Sequence, residues 1–118
     1  MYKRQACGLS LSLLPLVAEG AEAVMREKAK PTVQIDDDKV KVTRWDFLPG
    51  AETGWHRHKM NYVVVPLTDG TLTAEMPDGS IVENNLTVGA SYVRPVGVEH
   101  NIINHNDSPY SFIEIELK

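Results

Sequence analysis

The sequence is poor in the features that mark several classes of protein. It has 118 residues and one cysteine, Cys7, so no disulfide can form within the chain. Its net charge is −4, which argues against bulk binding to nucleic acid. No apolar run reaches the length of about 20 residues that a transmembrane helix needs. These absences leave one globular domain, suited to a reducing compartment, with neither nucleic acid nor a membrane as its partner.

The N-terminal region differs from the rest, and we treat residues 1–30 as an extension. A basic start, an apolar stretch over residues 6–18 and the small residues of Ala21-Glu22-Ala23 have the outline of a secretory signal peptide. Two alternatives stand beside this interpretation. Either Met25 is the native start and the upstream stretch is non-native, or Glu19–Lys30 forms a short helix. We favour a cytoplasmic protein, whereas a signal peptide would make it periplasmic or secreted.

Residues 31–118 read as many short strands joined by turns, which predicts an all-β sandwich or barrel. A change of phase within Lys39–Phe47 predicts a β-bulge in that strand. Asp69-Gly70 predicts a hairpin between its two flanking strands. In the last strand, 110–117, Phe112 and Glu114 alternate with Ile113 and Ile115, and the pattern leaves open which pair faces the interior. The predicted strands lie at 33–35, 39–47, 62–67, 71–76, 81–86, 92–94, 102–103 and 110–117.

Three histidines are spaced in a way that suits a shared metal ion. His56 and His58 occupy positions i and i+2, which point to the same face of a strand. His100 must then arrive from a distant strand, as closure of a barrel allows. Imidazole is the commonest metal-donating side chain and binds in its neutral form. The pattern therefore predicts a metal site made of His56, His58 and His100.

The histidines lie within two longer motifs that carry a family resemblance. The first contains Gly50, His56, His58 and Gly70, and the second contains Gly89, Pro95, Gly97, His100 and Asn104. Together they resemble the motifs of the cupins, which are jelly-roll β-barrels, over about residues 33–117. The segment 54–68 also resembles the small single-domain cupins named in β-alanine catabolism. We expect Gly50 and Gly89 to sit where strands turn and a side chain would crowd, and Asn104 to hydrogen-bond a loop or a ligand.

The first motif departs from the family at one position, because Tyr62 and Val63 stand where a ligating glutamate is expected. Three neutral imidazoles leave a divalent ion its full charge and open positions, which attract an anionic co-ligand. The resemblance to three-histidine thiol dioxygenases implies Fe²⁺ first, with Zn²⁺, Ni²⁺ or Mn²⁺ as alternatives. Ligand type alone does not choose among these metals.

Two further residues are candidates for catalytic roles. Tyr62 shares the strand parity of the histidines and is expected to ligate the metal, donate a hydrogen bond to substrate or act as acid or base. The competing interpretation is a core aromatic residue with a satisfied hydroxyl. Arg94 is expected to hold an anionic substrate, with a surface ion pair as the alternative.

Other residues near the motifs are given lesser roles. Met60 is expected in the cavity wall, and Asn61 and Arg57 should face outward. Glu99 is either a support for His100 or exposed, and His105 is read as a surface residue. Glu52 has a small chance of reaching the site, and Glu75 is assigned to the surface.

Two hypotheses for function follow. The first is a metal-dependent enzyme acting on a small organic acid or related metabolite, with dioxygenase chemistry ahead of isomerase or lyase chemistry. The second is a non-catalytic cupin that binds a metal or small molecule as a sensor or accessory protein. The resemblance also implies a homodimer, with Val33–Ile35 as the expected contact, since exposed strand edges invite pairing.

Overall fold

The computed structural model describes residues 25–118, and the signal-like and non-native interpretations of residues 1–24 lie outside this range. None of residues 25–30 is helical, so the helix considered for Glu19–Lys30 is wrong over its described part. No helix within residues 25–118 is long and apolar enough to span a membrane. The strands are β1 Lys30–Asp36, β2 Val40–Phe47, β3 His56–Arg57, β4 Asn61–Pro66, β5 Gly70–Glu75, β6 Ile81–Leu86, β7 Tyr92–Arg94, β8 Glu99–Ile103 and β9 Tyr110–Leu117.

The strands form two antiparallel sheets, and the expected all-β jelly-roll barrel is confirmed. One sheet has five strands in the order β1-β2-β9-β4-β7, and the other has four in the order β3-β8-β5-β6. Apolar side chains from the inner faces of both sheets point into the space between them, as in other β-sandwiches. The buried apolar core consists of Ala29, Phe47, Ala51, Tyr62, Val64, Leu72, Tyr110 and Phe112.

Two sequence predictions about strand geometry are wrong. Asp69-Gly70 does not close a hairpin, because β4 pairs with β9 and β7 while β5 pairs with β6 and β8. The chain crosses from one sheet to the other at this corner. The bulge is also not in β2, whose pairing with β9 runs without interruption from Val40 to Phe47. The irregularity lies in β1, between Val33 and Ile35.

Strand β1 is the outer edge of the five-stranded sheet. Val33 is 53% exposed and Ile35 is 48% exposed. The bulge turns Val33 toward the cavity between the sheets and leaves Ile35 beside Val42. An exposed edge with apolar side chains is suited to pairing with another chain. The expected homodimer contact at Val33–Ile35 is therefore still available, and it stays a prediction.

The motif asparagine Asn104 joins two loops through hydrogen bonds of its side chain. Its side chain is fully buried and its amide nitrogen donates to the carbonyl oxygens of Ser108 (3.0 Å), Leu48 (3.3 Å) and Phe47 (3.4 Å). Its amide oxygen accepts from the backbone and side-chain nitrogens of Asn106, at 3.0 and 2.7 Å. These bonds tie the loop after β8 to the end of β2. Of the two expectations for Asn104, the structure supports the loop.

The motif glycines are required for their backbone conformation, and the expectation of steric crowding at them is wrong. Gly50 and Gly89 have φ of 83° and 77°, and a Cβ at either would meet nothing within 4 Å. A left-handed conformation is costly for residues that carry a Cβ. Glycine at both positions therefore permits the turns that lead toward the two histidine segments.

Replacing Asn104 with alanine should lower the free energy of unfolding by about 2–4 kcal/mol, because three backbone carbonyls and Asn106 each lose a hydrogen bond to this buried side chain. Urea denaturation monitored by circular dichroism measures this change. The neighbouring exposed residue gives a matched control, and His105→Ala should stay within about 0.5 kcal/mol. Equal effects of the two substitutions would contradict the anchoring role.

Candidate metal centre

Strand pairing brings the three histidines together. Strands β3 and β8 are antiparallel, and His56 lies directly opposite His100. The pairing continues past β3, where the backbone nitrogen of His58 donates to Val98 O and that of Gly97 donates to His58 O, both at 2.8 Å. Residues i and i+2 share a face, so His58 joins the other two imidazoles. The predicted cluster is therefore assembled by cross-strand register.

The three imidazoles converge through one nitrogen each. The Nε2 atom of His58 lies 3.1 Å from Nε2 of His56 and 3.2 Å from Nε2 of His100. Protein ligands bind Zn²⁺ through nitrogen at about 2.0–2.1 Å, so two ligands of one ion stand about 3.0–3.4 Å apart. The observed separations fall in this range. His56, His58 and His100 could therefore hold one metal ion.

The chemistry of the donors supports the same conclusion. Nδ1 of His56 lies 2.9 Å from the carbonyl oxygen of Gly54, which can only accept, so this nitrogen carries the proton. In the neutral ring, the Nε2 atom of His56 then presents its lone pair to the cluster. The backbone nitrogen of Gly54 donates to the amide oxygen of Asn101 at 2.9 Å, which holds the carbonyl in place. Converging lone pairs repel each other unless a proton or a cation lies between them.

Burial keeps two of the imidazoles neutral. Burial, followed by the neighbouring His56, lowers the pKa of His58 to about 4. Burial, followed by His56, His58 and Arg94, lowers the pKa of His100 to about 3. Neutral imidazole is the form that ligates metals, so both side chains are ready to bind at physiological pH.

Tyr62 packs against the centre by stacking. Its ring lies 3.7 Å from that of His58 between centroids, with an angle of 14° between the planes. Burial, followed by the charge of Glu114, raises the pKa of Tyr62 well above its usual value. The phenol is therefore protonated and suited to donating a hydrogen bond. The ligating role expected for Tyr62 stays a prediction.

Arg94 lies at the rim of the same site. Arg94 of β7 lies opposite Tyr62 of β4. Its side chain lines the cavity. The guanidinium carbon lies 4.6 Å from the ring centroid of Tyr92, a cation–π contact. None of the ion pairs within residues 25–118 involves Arg94. The surface ion pair considered as its alternative role is absent from this part of the chain.

The histidine cluster opens onto a cavity of about 710 Å³ between the sheets. Its walls are mainly apolar, with Leu72, Ala74 and Val82 from one sheet facing Val64 and Phe112 from the other. A mostly apolar cavity with a few convergent polar groups is the usual form of a small-molecule site. The volume is that of a pocket for a metabolite.

The lesser candidates fall mostly where they were expected. Met60 lines the cavity, and Asn61 is exposed, with its amide oxygen accepting from the backbone nitrogen of Val96 at 2.8 Å. Three further residues, Arg57, Glu99 and His105, are exposed.

Two acidic residues outside the histidine cluster, Glu52 and Glu75, hydrogen-bond to Asn101 beside it. Glu52 does not reach the cluster, and its carboxylate accepts hydrogen bonds from Arg26 (3.2 Å), Lys28 (3.1 Å) and Asn101 (2.9 Å). Glu75 was assigned to the surface, but it is half-buried and accepts from Asn101 at 3.0 Å. Asn101 in turn holds Gly54, so this network fixes the segment that leads to His56.

Sequence reasoning missed Glu114 as part of this site. It is 9% exposed, and Trp45 Nε1 donates to its Oε1 atom at 3.2 Å. Its Oε2 atom lies 3.6 Å from Nδ1 of His58. Burial raises the pKa of Glu114 to about 7. The parity it shares with the buried Phe112 was the available signal, but the sequence did not show which face of β9 is internal.

Comparison with known proteins decides the family. The cupin domain family matches residues 43–116. The chain belongs to the cupin family. A relative from Pseudomonas aeruginosa, named beta-alanine degradation protein BauB, is 54% identical over 93 residues, which cover 79% of this cupin and 97% of the relative.

Solved structures give the same result. A cupin domain from Bordetella pertussis is 60% identical, has a TM-score of 0.77, and is matched over 80% of this cupin and 97% of its own chain. A double-stranded β-helix protein from Klebsiella pneumoniae is 19% identical, with a TM-score of 0.64 over 76% of each chain. The second similarity concerns the fold alone.

The imidazoles of His58 and His100 should stay neutral in the metal-free protein down to about pH 5. Their folded pKa values, about 4 and about 3, lie below the usual 6.5. As the pH falls below 6.5, these histidines take up protons in the unfolded chain before they do so in the folded protein. The free energy of unfolding therefore decreases from about pH 6.5 down to the folded pKa values. NMR titration of the ring signals measures both values, with urea-unfolded protein as the reference. Midpoints near 6.5 in the folded protein would contradict the effect of burial.

Proposed function

We propose that this cupin is a metal-dependent enzyme that acts on a small organic acid through His56, His58 and His100. The observation that carries the proposal is the convergence of three Nε2 atoms on the wall of a cavity of about 710 Å³. Two of these imidazoles are held neutral by burial. A purely structural barrel has no need of three converging donors.

The proposed substrate is anionic. Three neutral ligands leave the charge of a divalent ion uncompensated, which favours a carboxylate, thiolate or enolate as co-ligand. Arg94 adds a second positive charge at the rim of the cavity. The relative from P. aeruginosa is named for β-alanine degradation, which supports amino acids and related short acids as the substrate class.

The proposed reaction class is dioxygenase chemistry, with isomerase or lyase chemistry behind it. A bound ion would supply Lewis acidity and, for Fe²⁺, redox chemistry at open positions. Fe²⁺ is our first choice because of the resemblance to three-histidine thiol dioxygenases. Zn²⁺, Ni²⁺ and Mn²⁺ are the alternatives, since imidazole serves all of them.

Tyr62 and Arg94 are the proposed catalytic residues. Arg94 binds and orients the substrate carboxylate, which a guanidinium holds through two parallel hydrogen bonds. Tyr62 keeps its proton and donates a hydrogen bond to the bound substrate. The apolar walls exclude water, which strengthens these polar contacts.

The proposed working unit is a cytoplasmic homodimer. The exposed β1 edge, with Val33 and Ile35 about half exposed, supports self-association. A metabolic relative and a single cysteine support the cytoplasm. Sedimentation equilibrium measures the oligomeric state directly, and a monomer at micromolar concentration would contradict this part of the proposal.

The central test is metal content followed by turnover. Protein reconstituted with Fe²⁺ without oxygen should hold about one ion per chain by elemental mass spectrometry. His58→Ala should lose the ion, because removing one of three ligands opens the site, while its circular dichroism spectrum stays that of the native barrel. The matched control is His105→Ala, which removes an exposed imidazole.

Oxygen consumption is then measured with a panel of short acids that includes β-alanine and simple thiols. Turnover that needs the bound ion supports the enzyme. Tight binding of an acid without turnover in air would favour the non-catalytic alternative. Absence of metal after reconstitution would overturn the three-histidine site.

Substitutions at the two proposed catalytic residues should have separate effects. Arg94→Gln should raise KM about 10-fold or more with little change in kcat, because it removes uniform substrate binding. Tyr62→Phe should keep the metal and lower kcat at least about 10-fold. Arg44→Gln is the control, because this half-exposed arginine of the same sheet pairs with Asp46 and does not line the cavity. Loss of metal in Tyr62→Phe would instead make the phenol a ligand.

A further inference from the structure

We propose that Glu114 is a positioning residue for the metal centre, which holds the His58 ring with its Nδ1 proton toward the carboxylate and its Nε2 atom toward the other histidines. This inference rests on the proposed function, because it assigns a role within the same site. It concerns a residue outside the two histidine motifs, on the last strand of the chain.

The geometry divides the two nitrogens of His58 between two tasks. Nε2 faces the cluster at 3.1 and 3.2 Å from its neighbours. Nδ1 points the other way and lies 3.6 Å from Oε2 of Glu114. This distance is an electrostatic contact and is longer than a full hydrogen bond. Such contacts are often long in sites without their ligand.

The carboxylate is itself held in place. Glu114 pairs with Thr43 of β2 and Val64 of β4, so it stands in the middle of the five-stranded sheet. Its Oε1 atom accepts from Nε1 of Trp45 at 3.2 Å. A buried carboxylate is costly unless polar groups surround it. Trp45 occupies one oxygen and leaves the other directed at His58.

Stacking on Tyr62 fixes the plane of the His58 ring but does not decide which nitrogen faces the cluster. Tyr62 stacks on the ring with centroids 3.7 Å apart. A half-turn of the ring about its Cβ–Cγ bond keeps the same plane but exchanges the nitrogens with the ring carbons. An acceptor at Nδ1 selects one of these orientations and one tautomer. The group that faces Nδ1 is the carboxylate of Glu114, at 3.6 Å.

A second ligand in the site is fixed in the same way by a different group. His56 uses the carbonyl oxygen of Gly54, at 2.9 Å from its Nδ1 atom. Partners of this type orient a ligating imidazole, raise its basicity and affect metal affinity about 10–100-fold. Glu114 lies outside the group of converging ligand atoms, so it does not replace the glutamate that the motif lacks. It acts through His58.

The test compares two neighbouring carboxylates of β9. Glu114→Gln should weaken Zn²⁺ binding about 10–100-fold, because an amide nitrogen replaces one of the two carboxylate oxygens and can only donate, so the acceptor toward either Trp45 or His58 is lost. Glu116→Gln is the matched control, since this residue lies two positions along, on the same face, and lines the same cavity. Competition calorimetry with Zn²⁺ alone measures both affinities, and Glu116→Gln should change its value less than about 3-fold.

A spectroscopic readout separates positioning from a structural role. In the metal-free wild type, long-range ¹H–¹⁵N spectra should show His58 with its proton on Nδ1. Glu114→Leu should shift the ring toward a mixture of tautomers. Trp45→Phe keeps the carboxylate but removes its hydrogen bond from Nε1, and it should give an intermediate loss of Zn²⁺ affinity. This variant supplies the test if Glu114→Leu does not fold.

The outcomes distinguish this inference from the proposed function. If the wild type binds Zn²⁺ and Glu114→Gln binds it with the same affinity, the positioning role is overturned and the proposed function is not. Equal losses in Glu114→Gln and Glu116→Gln also overturn it, because they indicate a general effect of charge. A wild type that binds no metal overturns both proposals.

Discussion

The pairing of β3 with β8 is the interaction on which the candidate site depends. It sets His56 opposite His100, and the two backbone hydrogen bonds around His58 extend the register to the third histidine. A shift of one residue would send these side chains to opposite faces of the sheet. Asn104 holds the loop after β2, and the hydrogen bonds of Asn101 with Gly54 and Glu52 hold the segment before β3. Both sets of bonds support the segments that flank this pairing.

Low polarity around the centre explains its electrostatics. Removal from water disfavours charge on His58 and His100, and it disfavours charge on the nearby carboxyl of Glu114 in the same way. The barrel interior thus keeps nitrogen lone pairs free of protons. A cation entering this environment gains more from each ligand than it would at the surface, because solvent screening is weak there.

The sequence predicted the residues of the site better than their surroundings. The i, i+2 spacing and the two motifs identified His56, His58 and His100, which the structure brings together. The sequence did not predict Glu114, because β9 carries apolar side chains on both faces and the pattern does not show which face is internal. The Asp69-Gly70 hairpin failed for a related reason, since local turn chemistry does not specify whether the next strand stays in the same sheet.

The sequence by itself determined the all-β class, the family and the identity of the three histidines, because alternation and motif spacing are local properties of the chain. Only the tertiary structure decided what stands behind those imidazoles. Glu114 is separated from His58 by more than fifty residues in the chain, and Trp45 lies in another strand again. Trp45 meets Glu114 because β2 and β9 are neighbours in one sheet, and His58, which follows β3 of the other sheet, meets Glu114 across the interior. Both contacts depend on long-range pairing that no local pattern encodes.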